Sequence, residues 1–139
     1  LDFRGPGSVG TPTITTHVGR YYIILNNHTS RTLVEKCDYI STVGWGEGGS
    51  EARSKLGLPG GGPKYCVTPL CIMDFDERTK QMRLRSLHPG VELEEVITNT
   101  GFSLLVPEKV PLTPEPTGEE LHILRTRVDR GGVLRSETS

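Results

Sequence analysis

The side chains that could do chemistry are few, and most lie in or beside glycine-rich segments. Glu47, within Gly44–Gly48, could act as an acid or base, although a loop carboxylate is more often solvated. Its neighbour Trp45 could line a pocket or anchor a subunit contact. Lys64 follows a Gly-Gly-Pro run and could meet a phosphate, but a lone lysine at the start of a strand is usually exposed. These residue types alone leave the chemistry open.

The three cysteines, Cys37, Cys66 and Cys71, predict no metal site. Their number is odd, and no Cys-x-x-Cys motif is present. Cys66 and Cys71 are five positions apart on what we predict to be one strand, which would place them on opposite faces. We interpret them as buried, reduced thiols of a cytoplasmic protein. A nucleophilic cysteine would need a catalytic histidine motif, and the sequence has none.

The other titratable residues fit structural roles. His17 and His28 stand in no partner pattern and are predicted to lie at the surface. His88, before Pro-Gly, is typical of a turn residue that satisfies backbone groups. Arg83 and Arg85 alternate along a predicted hairpin strand, where they would form a solvated polar edge.

The charge balance excludes two classes of partner. Sixteen Lys plus Arg stand against 17 Asp plus Glu, for a net charge of -1. Without basic runs, neither a nucleic-acid surface nor an anionic membrane surface is predicted. The longest apolar run, Tyr21–Leu25, is far too short to span a bilayer, so we expect a soluble chain. The chain begins at Leu1 rather than Met, which we interpret as a processed product, a fragment or one piece of a split protein.

The first half of the chain predicts short elements separated by glycine and proline. Residues 1–12 are interpreted as a tight loop, and a strand over Arg20–Asn26, continuously apolar in its middle, is expected to be covered on both faces. Further predictions are a short helix over Thr13–Val18, a turn over Arg31–Lys36 with Leu33 and Val34 facing inward, a strand over Asp38–Val43, and a long glycine-rich loop over Gly44–Pro63.

The second half predicts a hairpin and two helices. A β-rich stretch, Lys64–Phe75, is interrupted at Pro69 and leads through the tip Asp76–Lys80 into a strand over Met82–Leu87. There follow a helix over Val91–Thr98, a strand over Phe102–Val106, a Pro-rich connector at 107–116, a capped C-terminal helix at 117–130 and a tail at 133–139. We predict one domain over 1–139, of α/β class, with a mixed sheet and flanking helices that is incomplete without a partner chain.

Three groups of segments resemble one family. They are Arg4–Pro12 with Tyr22–Leu25 and Arg31–Ser41; Gly61–Thr68 leading to Asp74–Phe75; and Ser86–Val91 with Glu94–Val96 and Thr100–Phe102. In this order and spacing they resemble the C-terminal portion of the β subunit of family I CoA-transferases, especially the glutaconate and 3-oxoadipate type. They are also similar to the related CoA-transferase-fold hydrolases of steroid-ring degradation. The segments Gly44–Gly48 and Leu56–Leu58 favour this second branch.

The resemblance implies a hetero-oligomer with an α-like subunit, no bound cofactor and a coenzyme A thioester as substrate. In such transferases a Glu of the β subunit attacks the thioester, and no Glu here stands in that motif. We therefore expect the nucleophile on another chain, one carrying the N-terminal half of the β subunit, or on a missing segment. Gly7, Ser8, Val9 and Gly10 match the family's loop whose amides stabilise the oxyanion, with Val9 departing from the usual glycine. A purely structural turn is the alternative.

Three functions remain open from the sequence. The first is a CoA-transferase subunit that moves CoA between carboxylic acids. The second is a hydrolase subunit of the same fold that cleaves a ring-derived acyl-CoA at a C–C or thioester bond. The third is a non-catalytic scaffold that completes the partner's fold. Fold-level analogy does not decide between them.

Overall fold

The computed structural model of the chain describes residues 10–133, and short elements alternate along it. None of the helices within that range is both long and apolar enough to cross a bilayer. The elements are α1 (Gly10–His17), β1 (Tyr21–Ile24), α2 (Ala52–Lys55), β2 (Pro63–Val67), β3 (Cys71–Phe75), β4 (Met82–Leu87), α3 (Leu93–Thr98), α4 (Gly118–Ile123) and a π-helical turn (Leu124–Val128).

The strands form one mixed sheet in the order β1-β2-β3-β4, which confirms the predicted sheet class. β1 runs parallel to β2, whereas β2–β3 and β3–β4 are antiparallel. The break predicted at Pro69 is the β2–β3 turn, where the hydroxyl of Thr68 accepts the backbone N–H groups of Leu70 and Cys71. The predicted β3–β4 hairpin is confirmed, with its tip over Asp76–Lys80.

One face of the sheet carries the core. Met73 and Leu84 on neighbouring strands are fully buried in one cluster with Val96 of α3. Each such side chain stabilises the fold by about 1.5–3 kcal/mol relative to exposure. Leu33 packs against the same cluster, but Val34, predicted to face inward, is 37% exposed.

The opposite face of β1 is open among the described residues, so the expected covering of both faces is not provided within this range. Tyr22 is 51% exposed and Ile24 is 74% exposed, while Tyr21 and Ile23 are half-buried. The reason is that no described element packs over its second face; in addition, β1 is an edge strand of the described sheet, so only β2 pairs with it.

Two predicted strands are absent from the described range. Tyr39 and Ile40 are more than two-thirds exposed and join no ladder, so Asp38–Val43 is irregular. Phe102–Val106 pairs with β4 at one bridge, through Leu105. Asp38–Val43 has no neighbouring strand among the described residues, whereas Phe102–Val106 bonds to β4 only around Leu105, so neither segment builds a ladder.

The cysteine prediction was partly wrong. Cys66 lies on β2 and Cys71 on β3, so they do not share a strand, and both are buried in the core. The period-of-two argument failed because the turn at Thr68–Leu70 separates them. Cys37 is exposed rather than buried.

The structure departs from the predicted elements near both ends of the described range. α1 begins at Gly10 rather than Thr13, so the end of the predicted loop is helical, while residues 1–9 lie outside the described range. The connector at 107–116 contains no helix and pairs with β4 only at the bridge between Leu112 and Leu87, and Thr117 forms the predicted capping box with Glu120. Leu124 and Val128 are exposed, and 134–139 lie outside the described range.

Candidate functional site

A largely apolar cavity of about 660 Å³ opens beside the edge strand, and we call it the Trp45 cavity. Thr11 and Thr15 of α1 form one side, and Tyr21 of β1 forms another. Trp45 and Phe75 close it from the glycine-rich loop and from β3. Its size and composition suit an organic ligand with a substantial apolar part.

Trp45 forms a wall that three contacts hold in place. Its indole N–H donates to the carbonyl of Pro63 at 3.1 Å, at the start of β2. The ring centroid lies 6.3 Å from that of Phe75 at an interplanar angle of 60°, a favourable tilted arrangement. The ammonium of Lys80 lies 4.5 Å from the ring centroid on the hairpin side.

A smaller cavity of about 320 Å³ adjoins the Trp45 cavity, and the two share Trp45, Pro63, Phe75 and Lys80. Three cations line it, namely Arg20, Lys64 and Lys80, and we call it the cationic cavity. Lys64 was singled out from the sequence, whereas Arg20 and Lys80 were not. Together they can attract an anionic group at the edge of an apolar pocket.

Arg53 supports this region from within the protein and was missed by the sequence reasoning. It is 4% exposed, and its guanidinium donates to the carbonyls of Gly44 and Thr15, both at 3.0 Å. Longer bonds reach the carbonyls of Thr16 and Pro59. The cation thus caps the C-terminal end of α1, where helix carbonyls favour positive charge, and ties it to both ends of the glycine-rich segment.

The glycines before β2 allow this close packing. Gly62 has a φ of +69°, and a Cβ there would lie 2.8 Å from Cδ of Arg53 and 3.3 Å from the Trp45 ring. A side chain at this position would therefore displace the two residues that shape the site.

The predicted oxyanion loop lies largely outside the described range. Gly7, Ser8 and Val9 fall among residues 1–9, while Gly10 is the exposed first residue of α1. Its neighbour Thr11 lines the Trp45 cavity, so the described end of the loop adjoins that cavity.

The described lining of the two cavities supplies hydroxyl groups, apolar side chains and cations. None of the described lining residues carries a carboxylate, thiol or imidazole. Glu47 is exposed and is not among them, although Trp45 and Gly46 beside it are. Burial raises the pKa of Tyr21, an effect that the charge of Arg53 opposes, so this phenol stays protonated at neutral pH.

His28 is buried, so the prediction of a surface position was wrong. Thr100 donates to the carbonyl of Val96 at 2.8 Å and therefore accepts from Nε2 of His28 at 3.0 Å. Nδ1 then accepts from the hydroxyl of Thr68 at 2.9 Å. Burial lowers the pKa of His28, against smaller opposing effects of the Val96 backbone and the Glu95 charge. The ring is a neutral structural element.

The neighbouring thiols are unsuited to nucleophilic chemistry. Sγ of Cys71 lies 3.9 Å from Nδ1 of His28, but that nitrogen already accepts from Thr68. Burial raises the pKa of Cys71, and it raises that of Cys66 to about 11, so both stay protonated at neutral pH. Their interpretation as buried thiols agrees with this geometry.

His88 and the two hairpin arginines also have structural partners. Nε2 of His88 donates to the carbonyl of Thr68 at 2.9 Å, as predicted for a turn residue. Arg83 and Arg85 both pair with Asp74, whose side chain is 10% exposed, so they are more than a solvated edge. His17 is exposed, as predicted.

No protein-family model matches the sequence. It is 44% identical over 122 residues to the β subunit of the 3-oxoadipate CoA-transferase of Pseudomonas knackmussii, covering 88% of this chain and 46% of the relative. It is 39% identical over 132 residues to the β subunit of the glutaconate CoA-transferase of Acidaminococcus fermentans, covering 92% and 47%. The crystal structure of that glutaconate CoA-transferase matches with a TM-score of 0.81 and 34% identity, over 95% of this chain and 50% of the other.

A hydrolase is also similar to this chain. The cholesterol ring-cleaving hydrolase IpdB subunit of Rhodococcus jostii is 30% identical over 141 residues, covering 96% of this chain and 51% of the relative. The structure of IpdAB from the same organism matches with a TM-score of 0.77 and 30% identity, over 96% of this chain and 52% of the other. The chain spans about half the length of the curated relatives it matches.

Proposed function

Since this chain belongs to the family of CoA-transferase β subunits and related CoA-transferase-fold hydrolases, we propose that it serves in a heteromeric acyl-CoA transferase. The observation that carries the proposal is the 44% identity to a transferase subunit over 88% of the chain, against 30% for the hydrolase subunit. The reaction moves CoA from one carboxylic acid to another.

The proposed chemistry begins with a glutamate that is not among these 139 residues. Its carboxylate attacks the thioester carbonyl, the C–S bond breaks, and CoA departs as a thiolate, which leaves a mixed anhydride of the glutamate and the first acid. The thiolate then attacks the glutamyl carbonyl and releases the first acid, which leaves a glutamyl-CoA thioester for the second acid to attack. The absence of a carboxylate from the described lining of the Trp45 cavity supports placing this glutamate elsewhere.

The proposed contribution of this chain is binding and electrostatic stabilisation. We assign Gly7, Ser8, Val9 and Gly10 as amide donors to the oxyanion, because fixed N–H groups need no reorganisation as the charge develops. The position of Thr11 in the lining of the Trp45 cavity supports this role for the adjacent Gly10. Trp45 and Lys64 are assigned to the pocket.

The partners follow from the same proposal. An α-like subunit and a chain or segment carrying the remaining half of the β subunit would complete the site. The relatives are single subunits of larger enzymes, and the coverage of about half their length supports this arrangement. The exposed Ile24 on β1, outside the Trp45 cavity, offers apolar surface for such a contact. A CoA thioester is the substrate, no further cofactor is proposed, and the buried free thiols suit a cytoplasmic location.

The second candidate is a hydrolase subunit for a ring-derived acyl-CoA. The observation in its favour is the similarity to the IpdB subunit over 96% of the chain. In this alternative a partner carboxylate activates water, or Glu47 acts as the acid or base once a partner covers its loop. A purely scaffolding role is the third alternative.

Kinetics of the assembled protein separate these candidates. A transferase transfers CoA to an acceptor acid with double-displacement kinetics, whereas a hydrolase releases free products without an acceptor. Free products in the absence of an acceptor would overturn the proposed transferase, and no turnover of any CoA ester would favour the scaffold.

Gly10→Val tests the loop assignment. No described heavy atom lies within 4 Å of a Cβ built at Gly10, so the substitution meets no clash within the described residues. We expect kcat to fall about tenfold or more, because the side chain intrudes where the amide meets the oxyanion. Gly118→Val is the matched control, since Gly118 also begins a helix in open space. Equal turnover of the two variants would remove Gly10 from the site.

A further inference from the structure

The helix α1 joins the proposed oxyanion loop, at its first residue, to a buried contact region at its last turn. It begins at Gly10, the described end of that loop, and Thr11 lines the Trp45 cavity. Bonds to other segments fall on the last turn, where Thr15 is 7% exposed and its hydroxyl bonds to that of Thr42. Contacts at the end of α1 therefore help to set the direction in which its beginning points.

Arg53 is the charged centre of this contact region. Its guanidinium donates to four backbone carbonyls, which we call with it the α1 joint: Thr15 at 3.0 Å, Thr16 at 3.4 Å, Gly44 at 3.0 Å and Pro59 at 3.3 Å. The planar guanidinium offers five donors at fixed angles, so it can hold carbonyls of three segments in one arrangement. A lysine ammonium is a single point on a flexible stem and fixes no such arrangement.

Glycines pack the segment before β2 tightly against the same end of α1. The N–H of Gly61 donates to the carbonyl of Gly19 at 2.6 Å, and a Cβ at Gly61 would lie 2.8 Å from that oxygen. A Cβ at Gly62 would lie 2.8 Å from Cδ of Arg53. Because the region is packed this closely, a change at Arg53 is passed on to the helix end rather than absorbed by empty space.

A small change of angle at the α1 joint becomes a displacement at the proposed loop. α1 has 8 residues and is therefore about 12 Å long. A tilt of about 5° around its last turn moves Gly10 by about 1 Å. A misplacement of about 1 Å can cost an enzyme about a hundredfold in rate. Amide donors to an oxyanion have to lie about 3 Å from it, so the proposed loop is sensitive to such a tilt.

Resting on the proposed acyl-CoA chemistry and its oxyanion loop, we propose that Arg53 is a positioning residue that holds the Gly10 amide in place by fixing the direction of α1. Arg53 is 4% exposed and is not among the described lining of either cavity, so it acts without touching the substrate. An amide that meets the oxyanion stabilises the transition state more than the bound ester. Loss of Arg53 therefore lowers kcat rather than raising KM.

The kinetic test uses Arg53→Met in the assembled protein. We expect kcat for a CoA ester to fall about tenfold to a hundredfold, with KM within about twofold of the native value. Arg53→Lys, which keeps the charge but not the planar donor group, should regain part of kcat. Val96→Ala is the control for lost stability, because it removes buried volume in α3 and leaves the α1 joint intact. With kcat expressed per folded complex, equal values for Arg53→Met and Val96→Ala would overturn the proposal.

Combination with Gly10→Val shows whether the two residues act through the same loop. If Arg53 acts through the Gly10 amide, the double variant Gly10→Val/Arg53→Met should lose about as much kcat as the larger of the two single losses. Independent effects would multiply instead. A loss equal to the product of the two single losses would therefore contradict the positioning role.

Hydrogen exchange separates this proposal from the proposed reaction, because it needs no turnover. In the assembled protein, Arg53→Met should raise deuterium uptake in the α1 backbone and leave β4 unchanged, whereas Val96→Ala should leave α1 unchanged. If the native protein transfers CoA and uptake in α1 is the same with and without Arg53, the positioning role alone is refuted. Absence of CoA transfer by the native protein would overturn the proposed reaction and this proposal together.

Discussion

Replacing Arg53 by methionine should weaken the protein at the point where α1 meets the glycine-rich segment. Methionine keeps an unbranched apolar stem but removes the guanidinium, which donates to the carbonyls of Gly44 and Thr15 at 3.0 Å. Because Arg53 is 4% exposed, water cannot readily replace these bonds, and the carbonyls of a helix end and a loop lose their donors.

The magnitude follows from the bonds and from the cost of burying the cation. Two hydrogen bonds from a charged donor contribute about 1.5 kcal/mol each, and the longer bonds to Thr16 and Pro59 add little. Against this, Nε of Arg53 has no partner among the described residues, so removing the guanidinium recovers about 1 kcal/mol of desolvation. We expect a net loss of about 2–3 kcal/mol.

Urea unfolding of the assembled protein measures this loss. With an m-value of about 2 kcal/mol/M, the midpoint should fall by about 1 M at constant m. Lys55→Met, in the same short helix, removes an exposed lysine whose ammonium lies 3.6 Å from Glu51 and should cost less than about 0.5 kcal/mol. Arg53→Lys should lie between the two. Equal midpoints for Arg53→Met and Lys55→Met would refute the assigned role of Arg53.

Two further predictions concern groups outside the cavities. Burial lowers the pKa of His28 below its usual 6.5, so the folded state favours the neutral ring. The contribution of His28 to the free energy of unfolding should therefore be constant above about pH 6.5 and be lost as the pH drops through the lowered pKa. His28→Gln should flatten this slope between pH 7.5 and 5.5 in urea titrations, and an unchanged slope would exclude His28 as its source. Asp74→Asn should cost about 1–2 kcal/mol, because it leaves Arg83 and Arg85 without their carboxylate. Arg83→Met should cost less, since Asp74 keeps Arg85, and the reverse order of midpoints would contradict this assignment.

The elements that the sequence predicted correctly are those specified by local chemistry. The hairpin of β3 and β4 has alternating residues on both sides of a polar tip, and α4 begins at a capping box. The predicted strand Asp38–Val43 failed because alternation alone does not supply a neighbouring strand. Whether β1 is covered on both faces depends on elements beyond those described, which its apolar run could not reveal.

For the cavity residues too, the sequence indicated only those that a local pattern or residue type makes conspicuous. Trp45 stood out by its residue type. Lys80 could also have been noticed, because the hairpin tip Asp76–Lys80 contains no glycine and ends at this lysine. No sequence pattern indicated the role of Arg53, because its partners are backbone carbonyls from three separate segments. His28 resembled a surface histidine because its threonine partners are distant in sequence.

Trapping the covalent intermediate tests the central claim most directly. The assembled protein is incubated with an acyl-CoA substrate, treated with borohydride, and analysed by peptide mass spectrometry. A glutamyl-CoA thioester is expected to be reduced at a glutamate outside these 139 residues, with this chain unmodified. A reduced glutamate within this chain, at Glu47 or elsewhere, or turnover that never yields an adduct, would contradict the account.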